Sequence, residues 1–92
     1  MIVKYYAYFR KDAGCKEATL LLAPMNALEL LKTLSELHGQ RLRKRLLTAD
    51  MDDIHPDVIL LIDGRNIDFI DGIRSMVGED AVVSLFPRVA GG

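Results

Sequence analysis

The sequence predicts an α+β fold in two layers, a mixed sheet of four to five strands packed on one main helix with a short second helix. Three observations predict it: an alternating apolar segment at the start, a leucine stripe at helical spacing in residues 26–38, and two apolar, β-branched-rich runs in the second half. The chain has 92 residues, 50% of them hydrophobic and 27% charged. That is enough for one core with little margin and leaves no room for a second domain.

In residues 2–9, Val3, Tyr5, Ala7 and Phe9 alternate with Lys4, Tyr6 and Tyr8, which predicts a strand with one buried face. Asp12, Ala13 and Gly14 supply a turn, and residues 17–22 read as a second strand completing a hairpin. After Pro24, Asn26 is a helix cap with Glu29 three positions on, and Met25 stands where a hydrophobic staple meets Leu30. Leu28, Leu30, Leu31, Leu34 and Leu37 form the apolar stripe that follows, and Gly39 is placed to stop the helix. Residues 41–47 read as a shorter helix, with Leu42, Leu46 and Leu47 inward and Arg41, Arg43, Lys44 and Arg45 outward. The continuous run 58–62 reads as a central strand buried on both faces. A turn at residues 63–66 precedes a short strand over 67–70, Ile73 and Met76 anchor an irregular link, and residues 81–86 form the last strand.

That strand leads into Pro87-Arg88-Val89-Ala90-Gly91-Gly92. Two residues without Cβ atoms let a backbone thread a narrow channel and leave a terminal carboxylate unhindered. From Pro87 onward the chain can extend roughly 20 Å, at about 3.3 Å per residue, so it can reach into another protein while the globular body stays outside. A frayed terminus is the alternative reading of the same residues.

Composition excludes several function classes. A net charge of −1 gives no overall basic field for nucleic acid. No apolar run is long enough to span a bilayer, and the first residues lack the layout of a signal peptide, so a cytoplasmic location is expected. The single cysteine, Cys15, excludes an internal disulfide and a cysteine cage for a metal, and only Lys16 stands near it to activate the thiol. Asp50, Asp52, Asp53, His55 and Asp57 are rich in donor atoms but lack the glycine and terminal glutamate of a calcium loop, which favours a solvated turn. His38 falls at a helix end, where it suits the dipole. The Arg41-Arg43-Lys44-Arg45 cluster has no interleaved aromatic residues and reads as a solvated face.

Val3-Lys4-Tyr5-Tyr6-Ala7-Tyr8-Phe9-Arg10 resembles the opening strand of the MoaD and ThiS sulfur-carrier family, and residues 83–92 resemble its closing signature. Residues 58–67 are similar to its central strand and turn, so the resemblance covers essentially the whole chain. It implies a ubiquitin-like β-grasp domain over residues 1–86 and a flexible diglycine tail over residues 87–92. Arg88 stands where the family commonly has a second proline, and Glu79-Asp80-Ala81 where it often has Gly-Asp, so Arg88 adds a charge that a partner must accept.

The resemblance also implies the chemistry. Gly92 is adenylated by a MoeB-like adenylyltransferase that uses ATP, and a sulfur donor then converts it to a thiocarboxylate. Gly91, Ala90, Val89, Arg88 and Pro87 form the arm that enters the partner's active site. The chain itself is a carrier and not an enzyme, holding no cofactor or metal of its own. Its length and second helix favour the molybdopterin branch, with a MoaE-like large subunit of molybdopterin synthase as the recipient, over the compact thiazole carriers. The alternatives are a ubiquitin-like modifier conjugated through Gly92, a carrier for thiamine thiazole or tRNA thiolation, and a plain binding module whose diglycine is incidental. Because Val83 and Leu85 cannot share a face with Phe86 on one strand, one set is expected in the core. Phe86, Tyr6 and Tyr8 are then the candidates for an exposed partner surface.

Overall fold

The computed structural model describes residues 1–88. Its main sheet has five strands in the order β2 (Glu17–Thr19), β1 (Ile2–Tyr5), β7 (Val82–Pro87), β4 (Val58–Ile62) and β5 (Arg65–Asn66), and a separate two-stranded sheet pairs β3 (Met25–Asn26) with β6 (Met76–Val77). Strand β1 (Ile2–Tyr5) buries Val3 and Tyr5 as the alternation predicts, but it ends four residues before Phe9. Ala7 takes a φ of 53°, in the left-handed region, and turns the chain into the five-residue helix α1 (Phe9–Ala13). Phe9 is buried from this helix while Ala7 is exposed, because a short apolar run does not reveal its own period.

Strand β2 (Glu17–Thr19) runs antiparallel to β1 with Ala18 opposite Val3, so the hairpin exists, with α1 inserted in it. The predicted extension to residue 22 is absent. Leu20 and Leu22 rest half-buried on the core and Leu21 points into solvent. Strand β3 (Met25–Asn26) leads directly into α2 (Ala27–His38), whose first turn is capped by Asn26 Oδ1 accepting the Glu29 N–H at 2.9 Å. Ala27, Leu30, Leu31 and Leu34 are buried. Leu37, predicted on the stripe, is 55% exposed. The inward position of that last turn belongs to His38, whose Nε2 lies 2.8 Å from the Tyr5 hydroxyl. His38 therefore serves as the partner of a buried phenol, which the sequence reading of a helix-end cation missed.

Gly39 ends α2 at a φ of 102°, a conformation that side-chain-bearing residues rarely adopt, and its N–H bonds to the Ser35 carbonyl at 2.9 Å. Helix α3 (Gln40–Leu46) starts at once and buries Leu42 and Leu46, with Leu47 buried just beyond its end.

Strand β4 (Val58–Ile62) is interior to the sheet but not its central strand, since that position belongs to β7. Nor is it buried on both faces. Val58, Leu60 and Ile62 face the core, whereas Ile59 and Leu61 are half-buried on the opposite face. Asp63 and Gly64, with φ values of 49° and 84°, make the two-residue turn into β5 (Arg65–Asn66), so the turn expected over residues 63–66 is shorter and its second half is a strand. The strand expected over 67–70 is instead a 3-10 turn, Ile67–Phe69, followed by a second, Gly72–Arg74. In β6 (Met76–Val77) the buried residue is Val77, not the expected Met76.

Strand β7 (Val82–Pro87) runs parallel to β1 and antiparallel to β4. Val83 lies opposite Val3 and Ile62, and Leu85 lies opposite Tyr5 and Leu60. These residues form one inner face, which clusters with the buried leucines of α2 and α3.

Leu31 is fully buried in that cluster. Leu31→Ala should cost about 2–5 kcal/mol in denaturant unfolding, while loss of Gly91-Gly92 should leave the midpoint unchanged.

The Tyr5–His38 pair gives a second expectation. Burial lowers the His38 pKa from 6.5, against a hydrogen bond to the Ala13 backbone that raises it. Burial chiefly, with the Cys15 charge second, raises that of Tyr5. Both groups are thus favoured neutral in the fold. The His38 contribution is complete above pH 6.5 and is lost as the pH falls from there through the lowered folded value, because the unfolded chain binds the proton more readily in that window. The difference in urea midpoint between the parent chain and His38→Gln should therefore narrow as the pH falls below 6.5, and a difference that widens would contradict the sign.

Candidate functional site

The last strand carries both the core and the candidate site on opposite faces. Because side chains alternate, Val83 and Leu85 point inward and Phe86 outward. Tyr6, just past the end of β1, stacks on Phe86 with ring centroids 4.2 Å apart and an interplanar angle of 11°. This pairing follows from the parallel register, in which Tyr5 stands beside Leu85. Arg10 supports it from α1, since its Nε donates to the Tyr5 carbonyl at 2.9 Å and its guanidinium carbon lies 5.4 Å from the centroid of Tyr6. On the other side of β7, Ile59 stands opposite Phe86, so the outer sheet face holds a half-exposed apolar patch of Tyr6, Phe86, Ile59 and Leu61.

Tyr8 is not part of that patch. The turn at Ala7 carries it to the start of α1, where it packs edge-on against Phe9 and lies under Arg45, 4.4 Å from the guanidinium carbon to the ring centroid. There it lines a cleft of about 190 Å³ with Lys44, Arg45, His55 and Asp57.

The end of β7 sits beside residues 55–57. Pro87 is the final residue of the strand and pairs with Val58, one residue beyond the boundary expected at 86. Arg88 is held as well, its N–H donating to the Asp57 carbonyl at 2.6 Å and its Nε to the Pro56 carbonyl at 3.2 Å. Its guanidinium also lies 3.7 Å from the Asp68 carboxylate. Asp68 and the 86%-exposed Phe69 belong to the 3-10 turn that had been read as a strand, which is why they escaped the sequence reading. Arg88, a lone charge where an arm leaves a strand, was the available signal for them. Val89, Ala90, Gly91 and Gly92 lie outside the described residues.

The competing candidates resolve individually. Cys15 is a free, half-buried thiol packed against the core. The acidic loop folds on its own backbone and hydroxyls: the Thr48 hydroxyl donates to Asp52 Oδ1 at 3.0 Å and the Ile54 N–H to Asp53 Oδ1 at 2.7 Å. Among the described residues no cluster of histidine, cysteine or acidic side chains could hold a metal, and no helix is long and apolar enough to cross a membrane. The basic cluster is not wholly a solvated face, because Arg45 pairs with the buried Asp12 carboxylate and Arg41 lies 3.8 Å from it. That joins α1 to α3.

The model of the ThiS family matches residues 3–92. A provisionally named sulfur carrier protein of Archaeoglobus fulgidus is 33% identical over 64 residues, 70% of each chain. The solution structure of the HVO 2177 protein of Haloferax volcanii is similar at a TM-score of 0.76 and 28% identity, over 99% of this chain and 84% of that one. A chain of the BexX/CysO complex of Amycolatopsis orientalis is similar in fold at a TM-score of 0.80 and 21% identity, over 99% and 98% of the two chains. The architecture is the ubiquitin-like β-grasp.

If the outer face is a docking surface, its aromatic stack should carry much of the binding. Phe86→Ala should weaken association with a partner by more than about 1 kcal/mol in calorimetry without unfolding the domain, and unchanged affinity would place the interface elsewhere.

Proposed function

The chain belongs to the ThiS family of small non-catalytic sulfur carriers and ubiquitin-like modifiers, and we propose that it carries sulfur as a thiocarboxylate on Gly92 for the synthesis of molybdopterin. The observation that supports this reading is the placement of the arm. Strand β7 delivers Pro87 and Arg88 to the sheet end directly beside the Tyr6–Phe86 patch, so one partner can grip the patch while the residues beyond Arg88 enter its active site.

The carboxylate dictates the chemistry. With a pKa of about 3.5 it is ionised at neutral pH and is a poor electrophile. A MoeB-like partner removes that barrier by joining the carboxylate to the α-phosphorus of ATP, releasing pyrophosphate. A persulfide sulfur then attacks the acyl carbon, AMP leaves, and a second thiol cleaves the sulfur–sulfur bond to release the thiocarboxylate. In a MoaE-like subunit, two carriers loaded in turn supply the two sulfurs of a dithiolene. This chain contributes the arm and the docking face, and ATP is consumed by the activating partner. The lone half-buried Cys15 takes no part, and a reducing cytoplasm suits it. The second short helix, α3, is the feature that favours this recipient over the compact thiazole carriers.

Intact-mass spectrometry of the chain isolated from its own cells should show a fraction with sulfur in place of one terminal oxygen. Absence of that species even with the activating enzyme, ATP and a sulfur donor would falsify the carrier reading. Recovery of Gly92 joined to a lysine amine instead would assign the chain to the modifier class. Deleting Gly91-Gly92 should abolish sulfur transfer while most of the docking affinity remains.

A further inference from the structure

Where the chain leaves the sheet, four contacts converge on two residues. Pro87 pairs with Val58, and Arg88 bonds through its backbone N–H to the Asp57 carbonyl and through Nε to the Pro56 carbonyl, while its terminal nitrogen lies 3.7 Å from the Asp68 carboxylate as an ion pair. The anchors come from two segments, each stiffened locally. In the first, the Asp57 N–H donates to His55 Nδ1 at 3.0 Å, and His55 is tied to α3 by its own N–H to the Leu46 carbonyl at 2.8 Å. In the second, the Asp68 N–H donates to Asn66 Oδ1 at 2.9 Å. One guanidinium therefore bridges the loop before β4 and the turn after β5.

Each side-chain contact is half-exposed and weak taken singly. Together with the backbone bond they restrict the position and direction of Arg88. Resting on the carrier reading, we propose that Arg88 is the positioning residue of the arm, fixing the point and direction from which residues 89–92 start. Asp68 balances its charge within the chain, so the arm brings no unpaired cation into a partner's channel. Preorganisation of this kind raises the fraction of docked complexes in which the carboxylate reaches the reacting atoms.

The test uses Arg88→Ala, Arg88→Lys and Asp68→Asn in the full chain, with urea midpoints to confirm the fold. Amide hydrogen exchange at position 88, corrected for intrinsic rates, should accelerate about threefold to tenfold in Arg88→Ala and about twofold to threefold in Asp68→Asn, as expected for the loss of one exposed hydrogen bond with its ion pair and of the ion pair alone. Arg88→Lys, which keeps the charge but loses the fork that reaches both anchors, should fall between Arg88→Ala and the parent. In ATP-dependent adenylation by the cognate activating enzyme, Arg88→Ala and Asp68→Asn should lower kcat while KM for the carrier stays near the parent value.

Unchanged exchange in both variants would overturn the proposal. So would the pattern of a charge read directly by the partner, in which Arg88→Ala raises KM, Arg88→Lys restores it, and Asp68→Asn has no effect. If the parent chain itself were never adenylated, the carrier reading would fail while the exchange measurement still decided the clamp.

Discussion

The structure depends on the insertion of β7 between β1 and β4. The parallel pairing with β1 joins the two ends of the chain, and the antiparallel pairing with β4 closes the sheet over the leucines of α2 and α3. A slip of one residue in either register would turn Val83 and Leu85 outward and drive Ser84 and Phe86 into the core. The hydrophobic demand of the core therefore fixes which side of β7 faces outward and where Pro87 and Arg88 leave the sheet. Fold stability and arm geometry share one cause, although different residues of the strand carry them.

Elements with a long or strongly capped pattern were legible in the sequence. The Asn26 cap, the stripe leucines Leu30, Leu31 and Leu34 and the Gly39 stop each follow from local chemistry and appear where that chemistry puts them, with Leu37 the exception. The division of the last strand into Val83 and Leu85 against Phe86 was equally legible, because a period of two leaves no third arrangement. Short segments were not. Residues 6–13 hid a helix because Phe9 satisfies a strand period and a helix equally well, and residues 67–70 read as a strand because two isoleucines and a phenylalanine carry strand propensity without revealing a 3-10 turn. Nothing in the local sequence shows that Ile59 and Leu61 face away from the helices, since a continuous apolar run does not say how many layers cover it.

In the candidate site, Phe86 and Tyr6 were legible as outward residues because alternation names them, whereas the stack that joins them was not. The contacts of Arg88 with Pro56, Asp57 and Asp68 join residues far apart in the chain and arise from tertiary packing alone. The same is true of Tyr8, moved by the backbone turn at Ala7, and of Asp12, whose partners Arg41 and Arg45 lie on a different helix. Charge that looked like a solvated face or a burden on the arm is partly neutralised within the domain.

On the carrier reading proposed above, a self-sufficient scaffold presents an arm whose chemical task is to offer its terminal carboxylate. ATP–pyrophosphate exchange by the cognate activating enzyme, measured with the intact chain and with a chain lacking Gly91-Gly92 whose urea midpoints are compared in parallel, tests it most directly. Exchange is expected only with the intact chain, with the same midpoint for both. Exchange that survives the truncation, or a truncated domain that unfolds at lower urea, would contradict it.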